Sequence, residues 1–478
     1  MKRVVAMLAV VALCLSGSQV ALGAAAVDAG GQQDSAGHGP TVTATATRVG
    51  GTQAIRYRVT VDPAPGADRV TLRVGRTGRI VGGEGFSRRM AGGQTRLRLT
   101  DPSAGATVVL RAAADGAAAA DSPEYVDAGD WLLGPVPFLE VAWSAPNSGR
   151  VHRRYPLRQD GGRLANQPDA TFGDRYALFG PQTSATRRAD GHRIRLVRPR
   201  GTTVAAGTDE VLDTLSTAAQ QFRVGDRGDD VLVFALPSPA RRGGESIPAR
   251  DESWVNAAEP VDDANSVWLH EYVHTRQDFA LAADMQWFRE ASAEYYAARL
   301  AQRQGRITEA AVRRHLGGSA VTATLTRPRT WSDRRVPYTK GARVLALLDH
   351  NIRETTNGRR SLQDVFRRLN ARDGPITYAA FAAIVADVAG HPMDGWLDRY
   401  VAGSTPVAGI YHGGPSRSGF VSVEGALAAE RGPGLVFFAL AVGLSALASI
   451  PLYGVLSRLD GEREPAGATV PRSGHRGQ

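Results

Sequence analysis

The stretch V-W-L-H-E-Y-V-H-T-R-Q, residues 267–277, sets His270 and His274 four apart with Glu271 directly after the first. On an α-helix, positions four apart lie one above the other on the same face. Two imidazoles so placed can share one zinc ion, and Glu271 stands beside them, near enough to act on a water at the metal. The chain has ten histidines in 478 residues, so a pair at ligand spacing around a carboxylate is a poor match to chance. A helix showing two surface histidines is the bland alternative.

A zinc hydrolase uses three protein ligands and leaves a coordination position open. The segment M-Q-W-F-R-E-A-S-A-E-Y-Y, residues 285–296, offers the third. Glu290 and Glu294 are one helical turn apart, so with Glu290 on the metal, Glu294 shares its face and can orient a ligating imidazole from behind. The apolar pairs Trp287-Phe288 and Tyr295-Tyr296 on either side predict a buried helix and not a solvated acidic stripe.

On these residues the chain resembles the gluzincin metallopeptidases, specifically the aminopeptidase N and glycyl aminopeptidase families. The His270-Glu271-x-x-His274 block matches, and Trp287-Phe288-Arg289-Glu290-Ala291-Ser292-Ala293-Glu294-Tyr295 is similar to the W-x-x-E-G-x-A-E-Y block that carries the family's third ligand. The interval between the two blocks is shorter than in aminopeptidase N relatives, which calls for a tighter connection between the helices. A third block, Val336-Pro337-Tyr338-Thr339-Lys340-Gly341-Ala342, resembles the family's P-Y-x-K-G segment, and residues 395–403 resemble the end of the glycyl aminopeptidase catalytic region. The resemblance covers about residues 170–405.

It implies Zn2+ as cofactor, with His270, His274 and Glu290 as ligands, Glu271 as general base, Glu294 behind the ligands and Tyr338 as donor to the oxyanion. A hydrogen-bond donor placed where charge builds on the former carbonyl oxygen helps the transition state more than the substrate. The G-x-M-E-N string that holds a substrate's free amine in the aminopeptidase N family does not occur; Glu252, in Asp251-Glu252-Ser253-Trp254, sits in a comparable place and is the candidate for that role. Aminopeptidase and endopeptidase readings both stay open. The remaining histidines, among them His152, His192, His315, His350 and His391, lack paired ligand spacing and read as structural or surface groups.

Upstream, short segments at 41–49, 53–61, 69–74, 95–99 and 107–111, most alternating apolar with polar and divided by Gly, Pro and Asp clusters, predict a β-sandwich over 41–130. From 131 to 405 the pattern is mixed, then mainly helical after residue 263, as expected of a thermolysin-like catalytic domain with a helical C-terminal part. The fold class expected is therefore α+β and multidomain.

Both ends carry export signals. Residues 1–26 combine Lys2-Arg3, an apolar core and a small-residue end, as a signal peptide does, and 27–40 read as a flexible leader. Residues 406–433 are rich in Gly, Ser, Pro and Ala and read as a stalk, 434–456 hold no charge over a length that spans a bilayer, and 457–478 carry arginines suited to the inner side. The expectation is a single-pass cell-membrane protein whose catalytic region faces outward. Cys14, the one cysteine, falls in the signal peptide, so no disulfide is expected.

The formal charge of +10 is almost all arginine, since lysine occurs only at Lys2 and Lys340. The arginines are scattered, with no basic run or interleaved aromatic patch, so a nucleic-acid partner is not expected. The expected partners are a peptide or protein substrate and the membrane. A non-catalytic surface binding protein with a decayed peptidase fold is the rival, and it predicts a lost ligand or base where His270, Glu271, His274, Glu290 and Tyr338 are all present.

Overall fold

The computed structural model describes residues 39–50, 54–75, 77–91, 94–113, 125–144, 151–157, 169–225, 230–246, 251–318 and 321–407. All of these fall in the compact unit Met1–Phe420. The expected signal peptide, the span at 434–456 and the tail lie outside the described residues, as do the leader and stalk except for residues 39–40 and 406–407. Among the described residues no helix is long and apolar enough to cross a membrane.

Two antiparallel sheets form the N-terminal layer pair. Thr41–Val49, Ala54–Asp62, Ala106–Ala113 and Arg79–Glu84 pair in that order, facing His152–Arg154, Leu139–Ser144, Arg69–Val74, Gln94–Leu99 and Phe86–Ala91. Alternation drives the arrangement: Tyr57, Val59 and Val61 of one sheet and Val70, Leu72, Val141 and Trp143 of the other share one core, while Arg56, Arg58, Arg96 and Arg98 point outward. The sandwich thus reaches past residue 130, where the sequence reading ended it. Leu139–Ser144 pairs with Arg69–Val74 from far upstream, a non-local choice that no local pattern reports.

A third sheet is ordered Ala170–Phe172, Tyr176–Phe179, Leu132–Pro135 and Val126–Asp127, and its first three strands are buried on both faces. Leu132, Ala177 and Phe179 join the sandwich core; Leu133, Tyr176 and Leu178 face a second core with Val197, Leu232, Phe234 and Trp254. Period-2 alternation sends successive side chains to opposite sides. The sheet consequently welds the sandwich to the layer that follows it in the chain.

That layer is a five-stranded mixed sheet, ordered Gln182–Ala189, His192–Pro199, Asp230–Leu236, Glu252–Asn256, Gly244–Ser246. Helix α1 (Thr208–Gln221) makes the crossover between two parallel strands. Then come α2 (Val267–Thr275), α3 (Trp287–Arg303), α4 (Glu309–Gly317), a π-helical turn at Pro337–Gly341 running into α5 (Ala342–Thr355), α6 (Leu362–Asn370) and α7 (Tyr378–Ala389). After residue 263 the described chain is mainly helical, as the sequence pattern predicts. The tight connection between α2 and α3 is stapled by Ala280–Leu281 pairing with Pro375–Ile376.

Candidate metal centre

Helix α2 is buried along nearly its whole length, with Trp268, Leu269, Tyr272 and Val273 in the core. Such burial fixes its rotation, and the rotation turns His270 and His274 toward α3. There the Nε2 atoms of His270 and His274 are 3.1 Å apart, and Glu290 Oε2 lies 3.4 Å from the first and 3.3 Å from the second. Zinc–ligand distances of ~2.0–2.1 Å make a tetrahedral edge of about 3.3 Å. The three donors therefore already stand at the corners that a tetrahedral ion requires. Among the described residues they form the one group of three or more such donors able to hold a metal.

The far side of each ring supports the same assignment. His274 Nδ1 is 3.0 Å from Gln277 Oε1, and His270 Nδ1 is 3.4 Å from Glu294 Oε2. With Nδ1–H donating to these acceptors, each Nε2 keeps its lone pair for a metal. Gln277 is itself held, its Nε2 donating to Arg289 O at 2.8 Å and Ser292 Oγ at 3.0 Å. The sequence reading missed Gln277, and its position one turn past the last residue of His-Glu-x-x-His is the signal that could have found it.

Electrostatics without the ion reflect how tightly the cluster is wired. Burial opposes a charge on His270, yet hydrogen bonds to Glu290 and Glu294 override it and push the imidazole up to about 10. Burial likewise works against ionised Glu290 and Glu294, and hydrogen bonds from histidines outweigh it: Glu290 is held far below the usual carboxylate range and Glu294 at about 2. The carboxylates are thus ready as anions, while loading a metal must expel a proton from His270.

Glu271 is buried, and its carboxylate makes no hydrogen bond among the described residues. Beside it runs the edge strand Gly244–Ser246: Ser246 Oγ donates to Glu271 O at 2.8 Å, and a Cβ on Gly244 would sit 2.8 Å from Glu271 Cγ. Only glycine lets the strand lie this close. Tyr338 enters from the π-helical turn, donating to Glu290 Oε2 at 2.7 Å and stacking on His270 with ring centroids 5.8 Å apart. Burial first, then the neighbouring Glu290, raises its hydroxyl well above the usual tyrosine range, so it stays a donor. Lys340 anchors the turn, its Nζ donating to Ala323 O and to Gly403 O.

The structure brings together His270, Glu271, His274, Glu290, Glu294 and Tyr338. It gives Glu252 different work. That side chain is fully buried, and its carboxyl oxygens accept from the backbone N–H groups of Asp174, Arg175 (2.6 Å) and Tyr176 (3.1 Å). A group enclosed by a turn of the linking sheet cannot meet a substrate amine, so the expected role falls away.

Fold and site together describe an α+β chain whose two buried histidines and one half-buried glutamate converge beside the outermost strand of the five-stranded sheet. An aminopeptidase N family protein from Idiomarina loihiensis superposes with a TM-score of 0.55 over 77% of each chain at 15% identity. Legionella pneumophila aminopeptidase A in complex with aspartic acid gives 0.44 at 12% identity, over 77% of this chain and 49% of its own. Leukotriene A4 hydrolase from Saccharomyces cerevisiae gives 0.43 at 11%, over 82% of this chain and 71% of its own. The likeness in fold rests on the first of these. No protein-family model and no curated protein matches the chain.

Proposed function

We propose that the chain is a zinc metallopeptidase acting on peptide bonds, carried outside the cell and anchored by the apolar run at 434–456. The observation that carries the reading is the donor set: three ligand atoms at mutual distances of 3.1–3.4 Å, each imidazole backed through Nδ1. The likeness in fold to an aminopeptidase N family protein supports it. His270, His274 and Glu290 would hold the zinc, which supplies a Lewis acid to polarise a carbonyl and make water nucleophilic near neutral pH.

The chain's own residues do the rest. The edge strand Gly244–Ser246 has no strand partner on its outer side among the described residues, and a substrate in extended form can pair with it and lie alongside Glu271. Glu271 takes the proton of the attacking water and delivers it to the leaving amine. Tyr338 O–H donates to the oxygen on which negative charge develops, exchanging its bond to Glu290 for one to the oxyanion. Aminopeptidase action is the finer reading. Enclosure of Glu252 leaves that reading without its expected amine holder, which favours keeping an endopeptidase beside it.

The test is Glu271→Gln. Zinc content should match wild type while kcat falls by about 10²–10⁴, and wild-type turnover in the variant would refute the assigned base. Comparing free with N-acetylated peptides then divides the two readings: equal cleavage rules out an aminopeptidase.

A further inference from the structure

The wiring behind the metal donors continues one helix further than the ligands require. Helix α4 begins at a Thr308 cap that accepts from Ala311 N, and its buried Val312 and Leu316, four apart, fix which face turns inward. His315 is thereby carried to α3, where its Nε2 lies 2.8 Å from Glu294 Oε1. The other oxygen, Glu294 Oε2, is 3.4 Å from His270 Nδ1. Both oxygens of a buried carboxylate are thus taken by imidazoles from two different helices.

The unequal lengths matter. A single 3.4 Å contact leaves a carboxylate free to turn about its last bond, whereas a second, shorter, charge-assisted bond fixes its plane. With that plane fixed, Oε2 stays aimed at His270 Nδ1, the proton of His270 stays on Nδ1, and Nε2 remains available to a metal.

We propose that His315 is a positioning residue of the metal centre, holding Glu294 in the orientation that aligns His270 and thereby setting how firmly zinc is retained. The inference rests on the zinc reading above and extends it to a residue that the sequence reading set aside as structural.

The test follows zinc release from the loaded full chain to a chromogenic chelator. His315→Phe should release zinc about tenfold faster than wild type, the lower end of what loss of an outer partner costs. His315→Gln, whose side-chain amide restores an N–H donor, should come back to within about threefold. In a Glu294→Gln background, already fast, the Phe change should add nothing. His315→Asn, too short to reach Glu294, should be as fast as the Phe variant and replaces it should that variant not fold. Wild-type release rates in the Phe and Asn variants overturn the proposal, as do equal losses in Phe and Gln or multiplying losses in the double variant. A wild-type chain that takes up no zinc overturns the metal reading itself, and that outcome is visible before any variant is compared.

Discussion

Burial holds the Glu252 carboxyl protonated up to about 8, with Asp174 adding to the effect and three backbone N–H groups opposing it. In the unfolded chain the same group loses its proton near 4.5. Between those values the folded state alone keeps the proton, so stability falls as pH rises through the window and levels off above it. The contribution is on the order of a few kcal/mol. Thermal unfolding of wild type and Glu252→Gln, followed from about pH 5 to pH 8, should show the wild-type midpoint dropping relative to the variant; parallel curves would contradict the assignment. His270, Glu271, His274, Glu290, Glu294 and Tyr338 were legible because each lies in a block whose spacing maps onto one helix face or turn. Gln277, Glu252 and His315 were not. Their roles depend on what faces them across space, and Glu252 meets backbone from residues 174–176, a partner that no side-chain motif announces.

At the level of elements, the Pro337–Gly341 turn is held to α3 by close contact. A Cβ on Gly341 would lie 2.8 Å from Ala291 Cβ and 3.4 Å from Trp287 Cε3. Its φ of −59° is ordinary for any residue, so the cost of a side chain there is overpacking alone. Gly341→Ala should destabilise the fold by about 1–3 kcal/mol. Because Tyr338 rides on the same turn, kcat should fall by roughly tenfold or more as its hydroxyl shifts relative to Glu290. Calorimetry and steady-state kinetics read the two effects, and unchanged values of both would show that the turn does not depend on this contact. Helix positions were readable from sequence since apolar spacing at three and four residues is local. Strands Arg79–Glu84 and Phe86–Ala91 were missed: the first is Gly-rich and largely exposed, and the second is an edge strand, so neither shows the buried alternation that marks a strand.

Across the whole molecule, the sheet that contains Leu132–Pro135 and Tyr176–Phe179 lends one face to the sandwich core and the other to the core beneath the five-stranded mixed sheet. Sequence pattern placed a domain boundary inside this shared layer because short fully buried strands carry no alternation of polarity. The consequence for function is that the metal donors, which come from α2 and α3, are set by a fold assembled over several hundred residues. The most direct test of the account is therefore the zinc content of the purified chain after exposure to zinc and dialysis. Wild type should keep about one zinc per chain and a His270→Ala, His274→Ala variant none. A metal-free wild type, or the same zinc content in both, would contradict the claim that these side chains form a metal centre.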